Sequence, residues 1–232
     1  MVDPLDSLLA EIGSLRATAS RPAVTLTYAQ TLDGCIASAE RRTLSISSPA
    51  SQVLTHRLRA SHDALLVGVG TVLADNPRLT VRLVEGPDPR PIVLDTTART
   101  PPGSQLLRGP QSPWILCAPD APHDRRRRLE AAGAWLLETP RAADGRLDLL
   151  AGLARLRSEG LERLMVEGGA NVIASFLRAR VIDAVLLTIA PRWESGLPAL
   201  QADGFKMELD RPIWLSLDPD GIVFGRLAGA GA

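Results

Sequence analysis

Two adjacent glycines, Gly168 and Gly169, separate an apolar run at 163–166 from a stretch with a helical pattern. Glycine allows a ligand to approach the backbone closely, and the first turn of a following helix presents unpaired N–H groups and the positive end of the helix dipole. Such a junction is suited to binding a phosphate or pyrophosphate. Taken alone, two glycines between a strand and a helix are more often a plain turn, and their spacing is not the G-x-G-x-x-G of a standard Rossmann domain.

Two arginines, Arg59 and Arg82, stand on either side of a polar loop that contains Asp75, Asn76 and Pro77. Two fixed guanidinium groups in this position would grip a phosphate through paired, charge-assisted hydrogen bonds. Considered singly, Arg59 is more simply explained as the cap of a helix C-terminus and Arg82 as a solvated side chain. The two residues together predict a clamp for the phosphate of a substrate.

These residues must be positioned by elements that the sequence also predicts. Leucines at helical spacing indicate a first helix over 5–15, and Ser48 with Pro49 indicates the N-cap and first turn of a helix that ends near Ser61. Short apolar runs predict buried strands at 24–29, 63–69, 91–94, 114–117, 135–137, 163–166 and 185–190. Further helices are predicted at 124–132, 147–156 and 171–178, and a closing hairpin at 213–217 and 221–227. The alternation predicts a three-layer α/β/α fold with a mixed, mostly parallel central sheet.

The composition narrows the class of protein. Hydrophobic residues make up 45% of the 232 residues but aromatic residues only 3%, so the core must consist of aliphatic side chains, as in parallel sheets covered by helices. Basic and acidic residues number 26 each, which gives no electrostatic reason to expect nucleic acid or a membrane as a partner. The acids near the N-terminus are unlike the basic start of a signal peptide, and we expect a cytoplasmic protein. The zinc-deaminase signature is missing from the sequence, and no metal site is predicted.

Four motifs in order resemble one known family. They are TLDGCIAS at 31–38, SISSPASQVLTHRLRASHDALLVGVGTVLADNPRLTVR at 45–82, RPIVLDTTARTPP at 90–102 and LMVEGGANVIASFL at 164–177. Together they resemble the C-terminal reductase domain of the bifunctional riboflavin-biosynthesis deaminase-reductases. Stand-alone archaeal and fungal relatives of that domain reduce 2,5-diamino-6-ribosylamino-4(3H)-pyrimidinone 5′-phosphate. The resemblance runs roughly from 21 to 200 and implies a dihydrofolate-reductase-like fold, with 1–20 as an N-terminal helical extension and 21–232 as the reductase domain.

With the patterns above, the resemblance implies which residues form the site. The positions expected to contact NADPH are Ala29, Thr71, Asp75, Thr96, Gly168, Gly169, Ala170, Asn171, Val172 and Ser175. The positions expected to hold the ribosyl phosphate and the pyrimidine are Thr43, Arg59, Asn76, Leu79, Arg82 and Glu167. Asp75 is the first candidate for orienting the substrate or relaying a proton, and Glu167 is the second. The resemblance also implies hydride transfer to C1′ of the ring-opened sugar imine and assembly as a homodimer.

Three positions depart from the family pattern. Ser45 stands where the family has tryptophan, Cys35 replaces the basic residue that follows Asp-Gly, and the loop at 191–197 differs. Two other functions therefore stay open: reduction of another pterin-like or secondary-metabolite heterocycle, and a catalytically silent nucleotide-binding or scaffold protein. The motifs do not choose between NADPH and NADH, although Arg99 is in a position to meet a 2′-phosphate.

Overall fold

The computed structural model describes residues 4–40, 44–200 and 206–228. Six helices have the bounds α1 (Pro4–Gly13), α2 (Pro49–Ala60), α3 (Val69–Asp75), α4 (His123–Ala131), α5 (Leu149–Ser158) and α6 (Ala170–Ala179), and a short 3₁₀ helix covers Gln105–Arg108. The strands are β1 (Ala23–Thr31), β2 (Cys35–Ala37), β3 (Ala64–Gly68), β4 (Arg90–Leu94), β5 (Trp114–Cys117), β6 (Trp135–Glu138), β7 (Arg163–Glu167), β8 (Ala184–Ala190), β9 (Leu197–Pro198), β10 (Leu209–Leu217) and β11 (Asp220–Leu227).

Nine of these strands form one central sheet in the order β10-β11-β8-β1-β7-β3-β4-β5-β6. The strands from β8 to β6 pair in parallel, whereas β11 pairs antiparallel with both β8 and β10. The prediction of a mixed, mostly parallel sheet is confirmed. The closing hairpin supplies the antiparallel strands, as its position at the end of the chain indicated.

The sheet separates two apolar cores because successive side chains of a strand point to opposite faces. In β3, Leu65 and Val67 pack in one core with residues of α1, α2, α3 and α4. Ala64 and Leu66 pack in the other core with residues of α5 and α6. Burial on both faces explains why the strands are continuous apolar runs. Because the strands from β8 to β6 are parallel, their carboxyl ends meet at one edge of the sheet.

The first helix packs on its own domain. Leu8 and Ile12 are fully buried and belong to the same core as strand residues of the sheet. The division into an extension at 1–20 and a domain at 21–232 stays a prediction, but the helix shares the core of the residues that follow it. Within the described ranges, no helix is long and apolar enough to cross a membrane.

Three elements differ from the sequence-based expectation: the helix α3 and the strands β2 and β9. The residues after β3 form the helix α3, whereas the apolar run predicts a strand that extends to Val69. The strands β2 and β9 form a separate two-stranded sheet. A strand of two or three residues has no detectable periodicity, and its partner lies far away in the chain, so local pattern cannot predict it.

His62 fastens the end of α2 to β1 inside the first core. Its Nδ1 is 2.7 Å from the Leu58 carbonyl oxygen and its Nε2 is 3.0 Å from the Thr25 hydroxyl. Both ring nitrogens are therefore satisfied by a neutral imidazole, with the proton on Nδ1. Burial lowers the pKa of His62 to about 4, and the nearby Arg163 adds to the effect.

We predict that His62 makes the fold sensitive to acid. A histidine whose pKa is depressed in the folded state stabilises the protein above its unfolded pKa of 6.5, and this contribution is lost as the pH falls from 6.5 towards 4. The loss should reach roughly 3 kcal/mol in the free energy of unfolding at pH 4. Urea denaturation between pH 8 and pH 4 measures it for the wild type, for His62→Gln and for His123→Gln at an exposed position as control. An unchanged pH dependence in His62→Gln would contradict the assignment.

Candidate functional site

A cleft of about 790 Å³ lies at the carboxyl ends of neighbouring parallel strands. Thr188 of β8, Ala29 of β1, Glu167 of β7 and Gly68 of β3 all line it. Ligands of open α/β sheets bind beyond this edge, because the loops that follow the strands meet there. The volume is near the upper end of the range of small-molecule sites, which is roughly 300–1,000 Å³.

One wall of the cleft is the turn between β7 and α6. Gly169 is the N-cap of α6, and it provides no side chain to satisfy the N–H groups of the first helical turn. A Cβ atom on Gly169 would meet only the Thr71 Oγ1 atom, at 3.8 Å, so this glycine faces open space. A Cβ atom on Gly168 would lie 3.0 Å from Val172 Cβ, so that glycine lets α6 pack against the strand end. The two glycines thus serve different purposes.

Next to the glycine turn, Glu167 forms a two-pronged ion pair with Arg59 of α2. Arg59 Nε and Nη2 each donate to one carboxylate oxygen of Glu167 at 2.7 Å. The two side chains are only 13% and 21% exposed. Burial by itself would lower the pKa of Arg59, but the Glu167 charge and hydrogen bonds outweigh it and raise that pKa. In the structure, the fork that is predicted to grip a phosphate is paired with Glu167, and the two-arginine clamp stays a prediction.

Arg82 lines the same part of the cleft and keeps more of its guanidinium available. Its Nη1 donates to the Thr80 carbonyl oxygen at 3.2 Å and to the Thr80 hydroxyl at 2.9 Å. No other atom of its guanidinium bonds to a residue in the part of the chain that the structure describes. Burial lowers the pKa of Arg82, and the positive charges of Arg59 and Arg78 lower it further. An anion bound at this position would relieve that repulsion.

The structure brings most of the predicted site residues to one cleft and leaves others outside it. Lining the cleft are Ala29, Arg59, Thr71, Asp75, Arg82, Glu167, Gly168, Gly169, Ala170, Asn171 and Val172. Four other predicted residues do not line it, namely Ser175, Thr96, Asn76 and Leu79. Ser175 lies one turn further along α6 and donates to the Asn171 carbonyl oxygen, and Thr96 follows β4, two strands away from β7. The Asn76 side-chain oxygen accepts a hydrogen bond from the backbone N–H of Gln105, and Leu79 is 2% exposed. Thr43 lies outside the described residues. The roles of all these residues stay predictions.

Several cleft residues were not identified from the sequence. One face of α2 contributes Gln52, Thr55 and His56 beside Arg59. Helical spacing of three and four residues places these side chains on the face of Arg59, so a usable signal was present in the sequence. The small sheet of β2 and β9 adds three apolar residues to the lining, and no local sequence pattern predicts them. They are Ile36, Ala37 and Leu197.

Cys35, which stands where the family has a basic residue, belongs to a hydrogen-bond network that holds this small sheet in place. The Asp33 carboxylate accepts from the Ser195 N–H at 2.7 Å, and Cys35 Sγ accepts from the Gly196 N–H at 3.0 Å. A Cβ atom on Gly196 would lie 2.0 Å from the Ala37 carbonyl oxygen, so only glycine fits there. The Thr31 hydroxyl, followed by the Ser195 N–H, lowers the pKa of Asp33 to about 2. Cys35 and the altered loop at 191–197 therefore fit each other.

The third departure, Ser45, lies in the lining of the cleft. Its carbonyl oxygen accepts a hydrogen bond from Arg192 Nη2 at 2.9 Å. A residue of the altered loop thus holds the backbone at the position where the family has tryptophan. The small side chain of Ser45 contributes no aromatic surface to the cleft at this position.

Comparison with known proteins gives consistent results. Residues 22–193 match the family described as the RibD C-terminal domain. A 2,5-diamino-6-ribosylamino-4(3H)-pyrimidinone 5′-phosphate reductase of Methanothermobacter thermautotrophicus is 37% identical over 211 residues, which cover 85% of this chain and 95% of that protein. The riboflavin biosynthesis protein RibD of Aquifex aeolicus is 34% identical, over 75% of this chain and 48% of that protein.

Solved structures agree with the sequence comparisons. The riboflavin biosynthesis reductase Rib7 of Saccharomyces cerevisiae superposes with a TM-score of 0.79 at 29% identity, over 97% of this chain and 98% of that one. Dihydrofolate reductase of Enterococcus faecalis superposes with a TM-score of 0.51 at 15% identity, over 91% of this chain and 99% of that one. The second likeness concerns the fold alone, and it confirms the predicted dihydrofolate-reductase-like architecture.

We predict that the Arg59–Glu167 ion pair stabilises the fold as well as the cleft. Arg59→Met and Glu167→Gln should each lower the free energy of unfolding by about 2 kcal/mol or more, because each leaves a poorly solvated charge without its partner. The double variant should lose less than the sum of the two. Urea denaturation measures these values, with Arg157→Met at the more exposed pair with Glu162 as a control that should cost less than about 1 kcal/mol. Strict additivity of the two substitutions would refute the coupling.

Proposed function

Because the chain belongs to the RibD C-terminal domain family, we propose that it is the reductase that acts on 2,5-diamino-6-ribosylamino-4(3H)-pyrimidinone 5′-phosphate in riboflavin biosynthesis. The observation that supports this most strongly is the cleft itself, which is lined both by an open glycine turn and by the side chains of Arg59 and Arg82. The glycine turn suits a pyrophosphate, and the arginine side chains suit a phosphorylated substrate. A cytoplasmic location is part of the proposal.

The proposed cofactor is NADPH, held with its pyrophosphate at the turn of Gly168, Gly169 and Ala170. The uncapped N-terminus of α6 and the free space beside Gly169 fit such a group. Thr71 lies across from Gly169 and can bind a phosphate oxygen through its hydroxyl. When bound, NADPH supplies a hydride to C1′ of the ring-opened sugar imine. The contributions of the chain are to bind, to orient and to exclude water.

The substrate half of the cleft is assigned to Arg82, Glu167 and Asp75. Arg82 offers guanidinium donors to the phosphate. Both Glu167 oxygens accept from Arg59, but a carboxylate has about four lone-pair sites, so it can also accept from amino groups of the pyrimidine. The ion pair would keep this carboxylate charged and correctly turned. Asp75, at the end of α3, is the proposed group that orients the substrate or relays a proton.

A second candidate function is reduction of another heterocycle by the same fold. The observation that favours it is Ser45, which lines the cleft where the family has tryptophan. A missing aromatic wall leaves room for a ring of different shape. Comparison of the ribosylamino-pyrimidine phosphate with pterin-like compounds in the assay below distinguishes the two functions.

The proposed activity is tested by following NADPH oxidation in the presence of the ribosylamino-pyrimidine phosphate. Arg82→Ala should raise KM for this substrate roughly ten- to a hundredfold, since a lost charge-assisted contact costs about 1.5–3 kcal/mol. Arg82→Lys should restore the affinity only in part, because an ammonium group cannot form the forked contact. The matched control is Arg78→Ala, whose guanidinium bonds to Gln105 outside the cleft lining. Equal KM values for Arg82→Ala and Arg78→Ala would argue against the phosphate site.

Gly169 provides a separate test of the cofactor site. Gly169→Val should weaken NADPH binding at least roughly tenfold, because branched methyl groups would fill the space expected for the pyrophosphate. The fold should persist, since a Cβ atom at this position meets no neighbour closer than 3.8 Å. Fluorescence titration with NADPH and with NADH measures the affinity and the preference. Gly103→Val, at an exposed site with nothing within 4 Å, is the control. Normal NADPH binding by a folded Gly169→Val would place the cofactor elsewhere, and failure of the wild type to bind would favour a silent homologue.

Homodimer formation is the remaining part of the proposal. β10 is the edge strand of the sheet, and Trp214 on it is 69% exposed. Unpaired edge strands with large apolar side chains require a cover. Light scattering at micromolar concentration should give twice the chain mass of 24.8 kDa, and Trp214→Glu should reduce it to one chain. A monomer in the wild type would remove dimerisation from the proposal.

A further inference from the structure

The side chain of His56 lines the substrate half of the cleft, yet none of the roles given above uses it. It projects from α2, one turn before Arg59, and is 5% exposed. Its Nδ1 accepts a hydrogen bond of 2.9 Å from the backbone N–H of Arg82. A backbone N–H can only donate, so Nδ1 is unprotonated, and the proton of the neutral ring is on Nε2.

The surroundings of His56 favour this neutral form. Burial lowers its pKa to about 4, and the positive charges of Arg59 on α2 and Arg82 lower it further. The carboxylates of Glu167 on β7 and Asp88 oppose the shift without overcoming it. At neutral pH the ring is therefore an uncharged donor near the positive charges of Arg59 and Arg82.

The Nε2–H of His56 is open to the cleft. No residue within 4–40, 44–200 or 206–228 accepts a hydrogen bond from it, and it is not among the fully enclosed polar atoms that lack a partner. His62, six residues further on, is different because both of its nitrogens are satisfied inside the core. A buried structural histidine is thus explained at His62, whereas His56 has one nitrogen committed to the protein and one available to a ligand.

We propose that His56 binds the substrate, with its Nε2–H donating to an oxygen of the phosphorylated sugar while its Nδ1 fixes the Arg82 backbone. The acceptor is either a phosphate oxygen or a ribose hydroxyl, since both accept from a neutral N–H. The inference rests on the proposed function for the class of substrate. With His56 as a donor beside the charge of Arg82, the site favours a substrate that presents an oxygen acceptor there.

Two substitutions separate the two nitrogens of the ring. In His56→Asn the amide oxygen can take the place of Nδ1 and keep the Arg82 N–H bonded, but nothing replaces Nε2–H. In His56→Gln the longer amide can present an N–H near the position of Nε2, whereas the acceptor for Arg82 is lost. We expect His56→Asn to raise KM for the ribosylamino-pyrimidine phosphate roughly three- to tenfold, with unchanged NADPH affinity and thermal stability. His56→Gln should stay closer to the wild type in KM and lose thermal stability.

The opposite pattern would overturn the proposal. If His56→Asn has wild-type KM while His56→Gln raises it, the residue acts only on the position of Arg82. If both variants have wild-type KM, the imidazole does not contact the substrate at all. In either case, the NADPH-oxidation assay of the wild type tests the proposed function independently of His56.

NMR of ¹⁵N-labelled histidines gives a readout that does not require turnover. In the wild type, the His56 signals, assigned by their loss in His56→Asn, should show an unprotonated Nδ1 and a protonated Nε2 at neutral pH. Ribose 5-phosphate should shift the Nε2 signal, and separate titrations with ribose and with inorganic phosphate show which oxygen is bound. A shift in a wild type without reductase activity would support the site and refute the proposed function. Active wild type with an unchanged His56 signal at saturating substrate would refute the inference alone.

Discussion

The ion pair between Arg59 and Glu167 is the contact on which the geometry of the cleft depends. It joins the end of α2 to the end of β7, two segments separated by 108 positions in the chain. The ion pair also affects the glycine turn. Glu167 immediately precedes that turn, so a carboxylate held in place by Arg59 fixes where the turn begins. Because both charges are largely buried, each requires the other, and loss of one partner would leave the other charge unpaired and poorly solvated.

The rest of the site is built outward from this pair. Arg59 Nη1 donates to the Thr80 carbonyl, and Thr80 also binds Arg82, so the two guanidinium groups share one anchor. His56 holds the Arg82 backbone from the same helix. A fixed neutral donor and a partly free guanidinium therefore lie next to a carboxylate that is already neutralised. This arrangement favours a ligand that has both an anionic group and polar acceptors.

The three departures from the family pattern, Cys35, Ser45 and the loop at 191–197, lie apart from the Arg59–Glu167 pair. Cys35 and Asp33 bind the loop of Ser195 and Gly196 through backbone N–H groups, and this loop supports the small sheet that covers part of the cleft. Ser45 is tied to the same loop through Arg192. The three departures from the family pattern are thus physically connected, since they lie on one supporting network rather than at independent sites.

Periodic burial and glycine at strand ends are local signals, so the sequence alone predicts a mixed, mostly parallel sheet, the α-helices other than α3, and a site in the loops that follow the strands. It also identified Arg59, Arg82, Glu167 and the glycine turn as residues of one site. The pairing of these groups is visible only in the folded chain. The guanidinium of Arg59 is committed to Glu167, and the Nδ1 of His56 to Arg82, because contacts between distant segments depend on three-dimensional packing that no local pattern encodes. The same reason explains why β2 and β9 were missed while the strands of the central sheet were found.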